Sequence, residues 1–258
     1  MIMSPPGAIV RNLTFQSNDL GRETTILLAF DTEVEGLYDT VYPVVWKVFT
    51  FPKKGSRKFV VTYTNDLAFA EADITDENHV NTHATFQLKP GQQTTLTLED
   101  DSDSDDLSFS PPVDGAHING YLTAENKTGL VQDLAFGFFT PSMMQQMLMH
   151  TRPAPVLFFK EVENGRNATA QWKPVLRVYL ESDYRETEVL VNAINSAAIW
   201  EQDLHLLFRN TIFNLERDTK TGRCTLTKTQ CMTSEVKKGE KGHSSSESRF
   251  SRLSRLFV

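Results

Sequence analysis

Apolar residues along the first two-thirds of the chain recur at every second position in short runs, the period of half-buried β-strands. Ala8 to Phe15 and Thr24 to Phe30 make a first pair, joined through Asn18, Asp19 and Gly21. Val44 to Phe51 and Lys58 to Tyr63 make a second about Pro52-Lys53-Lys54-Gly55-Ser56. Leu67 to Ile74, Thr82 to Leu88 and Thr94 to Glu99 continue the pattern, and after an acidic interruption it resumes at His117 to Glu125, Leu134 to Phe139, Pro155 to Val162 and Thr169 to Leu180. In the last of these, Trp172, Leu176, Val178 and Leu180 share one face.

Beyond Leu180 the period changes. Leu190, Ile194, Ala197, Trp200 or Glu201, Leu204 and Leu207 or Phe208 recur at three or four residues, Asp183 stands where an N-cap accepts a backbone N–H, and Glu186 three positions on completes a capping box. This pattern predicts one long helix over residues 184–208, followed by a hairpin from Thr211 to Thr227 about Asp218 to Gly222. At least ten strands with a single late helix predict a mainly β fold, an antiparallel β-sandwich with one long helix near the C-terminus. The expected domain covers residues 6–232, with the acidic stretch 99–114 as the point at which it would subdivide. Residues 233–258, rich in Ser and Lys, read as a disordered basic tail.

Charge refines this picture. The 258 residues carry a formal charge of −7. Between Lys237 and Val258 six Lys and Arg stand against two Glu, a net +4 that leaves −11 for the rest. A body that acidic repels phosphate backbones, so no nucleic acid is expected as a partner. No run is long and apolar enough for a transmembrane segment and no secretory signal is visible, which places the chain in the cytoplasm as an expectation. Cys224 and Cys231 have neither zinc nor redox spacing and read as two thiols. The sequons at Asn12, Asn126 and Asn167 then carry no glycan.

Candidate chemistry is sparse. His79 and His83, with Asp73, Asp76 and Glu77 nearby and His117 on a later strand, could hold a divalent metal; no other cofactor is expected. The run Asp100 to Asp106 lacks the glycine and closing glutamate of a calcium loop and reads as a solvated loop. Met143 to His150 offers either core packing or an adaptable apolar contact. There is no glycine-rich phosphate loop, no nucleophile elbow and no H-E-x-x-H. Tyr38, Tyr42, Trp46 and Tyr63, from neighbouring segments, would form a ligand-binding surface if exposed together, stacking on sugar rings or sitting among lipid headgroups; otherwise Trp46 and Tyr63 are core.

The phrases VYPVVWKVFTF, VTYTNDLAF, LKPGQQTTL and SDYRETEVL…AIWEQDL resemble a group of proteins of mushroom-forming fungi with no assigned activity, over about Pro6 to Lys228. The segment AENKTG is similar to stretches of fungal β-sandwich lectins and actinoporin-like proteins. With these, the sequence supports a non-catalytic binding protein for a carbohydrate, lipid headgroup or protein ligand. A metal-dependent enzyme using the histidines is the first alternative. Membrane association through the tail, where Arg249, Arg252 and Arg255 alternate with Phe250, Leu253 and Leu256, is the second.

Overall fold

The computed structural model describes residues 9–31, 34–75, 78–99, 106–114, 120–140 and 152–230. The chain enters as β1 (Val10–Ser17) and β2 (Thr24–Asp31), makes the short β3 (Val41–Pro43), and returns through β4 (Lys47–Phe51) and β5 (Arg57–Thr64). Its middle runs through β6 (Leu67–Ile74), β7 (Val80–Leu88), β8 (Gln92–Leu98), β9 (Leu107–Phe109), β10 (Val113–Asp114), β11 (Tyr121–Asn126), β12 (Gln132–Phe138), β13 (Ala154–Val162) and β14 (Asn167–Gln171). It closes with β15 (Val175–Leu180), β16 (Trp200–Asp203), β17 (Asn210–Arg217) and β18 (Cys224–Gln230).

These strands build four sheets: β18-β17-β1-β5 (I), β16-β15-β2-β4 (II), β3-β13-β12-β6-β7 (III) and β10-β8-β11-β14 with β9 beside β8 (IV). Sheets I and II face one another through Phe15 on Phe49, Phe51 on Phe59 and Trp200 on Phe213. Sheets III and IV bury Phe69, Phe136 and Phe159 with Leu96, Leu122, Ala124, Ala168 and Ala170 in the same apolar cluster. The pairing is antiparallel except for β1 with β17 and β8 with β11. The outcome is two β-sandwiches, the first made by both ends of the described chain and the second by its middle.

Two segments expected as continuous strands break where the chain crosses between sandwiches. The strand expected over Val44 to Phe51 begins only at Lys47, in sheet II, because Val44 to Trp46 carry the chain across from Val41–Pro43, which pairs in sheet III. Thr169 to Leu180 divides at Pro174, which has no N–H for a ladder, so β14 ends in sheet IV and β15 begins in sheet II. Each crossing carries a tryptophan. Trp46 and Trp172, with Phe30, Tyr63 and Phe138, form a ring cluster with centroids 4.9–6.2 Å apart that joins the sandwiches into one core.

The helix expected over residues 184–208 is absent. No α-helix occurs among the described residues, and within that span only Leu204–Leu206 is helical, as a single 3₁₀ turn. Instead, residues 187–190 run as a strap between two other segments. Thr187 donates to the Val45 carbonyl and Leu190 to that of Pro43, while Val189 donates to Asn78 and Val80 donates to Thr187. Leu190 and Ile194 pack on Leu27, Ala29 and Val45 over the outer side of sheet II, and Val189 packs on Val80, Ala135 and Phe158 over that of sheet III. The three-to-four spacing therefore reports a covered face, although the backbone that presents it is not helical. Long-range ladder bonds satisfied the N–H groups that a helix would have satisfied locally.

Candidate functional site

Of the four aromatic residues expected to share a surface, Trp46 is 2% exposed and Tyr63 fully buried. The Trp172 indole donates to the Tyr63 hydroxyl at 3.0 Å, and burial drives the Tyr63 phenol pKa far upward despite that bond. Tyr38 and Tyr42 lie on the turn before and within β3, where Tyr38 has a left-handed φ of 63° and Tyr42 donates to the Asp39 carbonyl. The four thus separate into a two-ring turn and a buried junction, so they make no common ligand surface.

Nor do His79 and His83 converge. His83 is exposed on β7 and its Nε2 meets the Asp73 carboxylate, a diagonal pair across the β6–β7 ladder. His79 stands just before β7, where its backbone bridges to Glu188 of the strap. Four residues of extended chain hold the two Cα atoms roughly 13 Å apart, too far to chelate one ion. His117, Asp76 and Glu77 lie outside the described residues, as do Met143 to His150, Asp100 to Asp105 and the basic tail. Among the described residues no group of three or more His, Cys, Asp or Glu is placed to hold a metal. The AENKTG segment is a structural turn: the buried Asn126 amide donates to the Leu130 and Val162 carbonyls and accepts from the Thr128 amide and hydroxyl. That commitment leaves this sequon's nitrogen nothing to offer a glycan.

A site that sequence reasoning missed lies at the mouth of the first sandwich, where sheets I and II splay. The β1–β2 turn supplies Arg22 and Glu23, the start of β2 Thr24 and Thr25, and the end of β15 Leu180, Glu181 and Ser182. The β17–β18 hairpin adds Arg217, Gly222 and Cys224, and together they line an open cleft of about 560 Å³.

The hairpin that positions Arg217 is set by Asp218. Its carboxylate accepts from the Lys220 and Thr221 amides at 2.7 and 3.1 Å, and these bonds hold its pKa below the usual carboxylate range. Gly222 closes the turn with a φ of 73° and donates to the Asp218 carbonyl. Its missing Cβ also makes room for the guanidinium, because a Cβ there would fall 3.1 Å from Arg217 Nη2. Gly21, across the cleft wall with a φ of 71°, flanks the same group.

Arg217 is half-buried, yet among the described residues it makes neither an ion pair nor a side-chain hydrogen bond. Of the two acids beside it in sequence, Asp218 is committed to the turn, and Glu216 is exposed and makes no ion pair among the described residues. Buried polar groups are normally paired, so a shielded guanidinium without a protein acceptor marks a place where an acceptor can arrive. The electrostatics register its charge: burial pushes the Cys224 thiol pKa up, and Arg217 and Arg22 pull it partly back. Two cations, two carboxylates and three hydroxyls around an apolar floor at Leu180 suit an oxygen-rich ligand with an anionic group.

The fold and this cleft define the class only as a double β-sandwich with a guanidinium-walled cleft. No family model matches the chain, no curated protein matches it in sequence, and no solved structure matches it in fold. Among the described residues, no helix is long and apolar enough to cross a membrane.

Proposed function

We propose that the chain is a non-catalytic, lectin-like binding protein whose ligand is a carbohydrate bearing a carboxylate or comparable oxyanion, held in the Arg22–Arg217 cleft. The observation that carries this reading is the unpaired, half-buried Arg217 guanidinium. A planar fork matches a carboxylate through two parallel N–H···O bonds, and the surrounding Thr24, Thr25, Ser182, Glu23 and Glu181 side chains offer partners for sugar hydroxyls. The resemblance to proteins of mushroom-forming fungi, as a defence protein directed at foreign glycans, is compatible with that chemistry.

Calorimetric titration with short galacturonate oligomers, their methyl esters and neutral glucose oligomers tests it. The acid should bind, its affinity should fall with added salt, and the ester should bind weakly. Arg217→Gln should lower affinity roughly ten- to a hundredfold, the worth of a charge-assisted hydrogen bond, with the thermal midpoint little changed. No binding to any acidic glycan, or equal affinity in Arg217→Gln, would remove the proposal. Product analysis belongs in the same experiment: free sugar released over time would replace binding by hydrolysis, with Glu23 and Glu181 as the carboxylates at hand.

Cys224 supplies an independent reporter. In a Cys231→Ser background its alkylation should be slower than that of a free thiol, because burial holds it protonated and covered, and slower again with ligand bound. Unchanged alkylation with saturating ligand would place the ligand elsewhere.

A further inference from the structure

The cleft continues past its rim onto the outer side of sheet II. There the register sets Tyr179, Leu27 and Val48 in one row and Thr25 beside Thr50 in the next. Leu190 and Ile194 cover this face at Leu27 and Ala29, but Thr50 is exposed and Thr25, Val48 and Tyr179 are half-buried. The Thr25 and Thr50 hydroxyls stand 2.9 Å apart. Thr25 also belongs to the cleft wall, together with Glu181, the residue after Leu180. Cleft and outer face therefore meet at Thr25 without a break.

This outer patch offers different chemistry from the cleft. One threonine donates to the other, which leaves one O–H and several lone pairs for an incoming hydroxyl. Tyr179 pairs with Leu27 and so lies diagonally across the ladder from Thr25, where a half-exposed phenol ring can meet the C–H face of a sugar. The strands of sheet II hold two cations, Lys47 and Arg177, and they are bonded to Glu186 and Glu201, each at 2.7 Å. Leu180 pairs with Ile26, so the charge that follows it beside Thr25 is the Glu181 carboxylate. The cations of the site thus stay in the cleft, with Arg22 and Arg217.

Resting on the reading of the cleft as a glycan site, we propose that the ligand is a mixed glycan, with an acidic unit on Arg217 in the cleft and a neutral unit joined to it on Thr25, Thr50 and Tyr179 outside. Continuity selects a second sugar as the occupant of the patch, because Thr25 serves both surfaces and the two units must then be neighbours in one chain. Charge selects a neutral sugar over a second acid, because a further carboxylate beside Thr25 would face Glu181 with no strand cation of sheet II left to meet it.

Calorimetry on the full chain should compare galacturonate and glucuronate with disaccharides in which each is joined to a neutral sugar, rhamnose or xylose, and with digalacturonate. At least one mixed disaccharide should bind roughly tenfold tighter than its own acid, the contribution of one or two added hydrogen bonds, while digalacturonate gains little over galacturonate. Thr50→Val should remove most of that gain with the thermal midpoint little changed, because one β-branched residue replaces another at an exposed strand position. Thr50→Lys should invert the order and favour digalacturonate, since it sets a cation where the second carboxylate would lie. If the acids bind through Arg217 but no mixed disaccharide gains over its acid, or the gain survives Thr50→Val, or Thr50→Lys leaves the order unchanged, the outer subsite is overturned and the cleft reading stands. If no acid binds at all, both fall.

Discussion

Alanine in place of Gly137 should cost about 3 kcal/mol or more of folding stability, measured as a shift in the urea midpoint. The reason is space rather than backbone freedom. Gly137 sits in β12 between β6 and β13, and a Cβ there would fall 2.0 Å from the Ala154 carbonyl oxygen and 2.8 Å from its carbon. Both are backbone atoms of a paired strand, so no side chain can rotate out of the way; β13 must move. The β12–β13 register already shifts between Phe136 and Gly137, and the close approach occurs at that irregularity. A loss below about 1 kcal/mol, the low end of what overpacking costs, would show that the two strands separate easily, and that the sheet does not fix the position of the next residue, Phe138.

Phe138→Ala should cost about 3–5 kcal/mol, a large fraction of the total for a domain of this kind. Phe138 is fully buried, with ring centroids 4.9 Å from Tyr63, 5.5 Å from Trp46, 5.6 Å from Phe30 and 6.2 Å from Trp172. Those four residues come from sheets I and II and from the two crossings, whereas Phe138 belongs to sheet III. Its removal opens a cavity where the sandwiches meet. In the wild type, tryptophan fluorescence and far-ultraviolet dichroism should report one shared transition, because Trp46 and Trp172 occupy the junction. In Phe138→Ala the fluorescence transition should move to lower urea, ahead of the dichroism. Coincident transitions in the variant with a small loss of stability would mean that the ring cluster does not couple the halves.

This junction explains why the aromatic residues misled as site candidates. Trp46 and Tyr63 stand near turns, where an exposed ring would suit a ligand. The same positions are also where the chain passes from one sandwich to the other, and there large rings fill a gap that neither sheet pair can close alone. Nothing in a one-dimensional pattern separates a turn facing solvent from a turn facing another sandwich. The helix expectation failed differently. Its apolar spacing was real, and Leu190 and Ile194 do bury together. Yet Val189, Val191, Ile194 and Ile199 are β-branched, and Asn192, Asn195 and Ser196 favour local side-chain bonds over helix, so intrinsic propensity argued against the period.

The cleft was invisible for a topological reason. Arg22, Glu181 and Arg217 lie far apart in sequence, and their approach depends on the parallel pairing of β1 with β17 and the antiparallel pairing of β2 with β15. A sign was present in Gly21 and Gly222, each in a turn next to an arginine-bearing segment. It gains meaning only once the guanidinium is seen passing between them. In the apolar run Leu204 to Phe208 the helical spacing takes up Leu204 and one of Leu207 and Phe208 and leaves Leu206 without a face; the structure buries Leu204 and Leu207 and exposes Leu206 and Phe208.

By itself the sequence determined the period-two strands, the turns between them and the dominance of β structure, because alternation and turn chemistry act over a few residues and need no partner. The tertiary structure decided which strands share a sheet, where the chain changes sandwich, that residues 184–199 strap two sheets without coiling, and which polar groups are left unpaired. Those outcomes depend on which distant N–H and C=O groups find one another and on which apolar faces remain to be covered, and both are properties of the assembled chain.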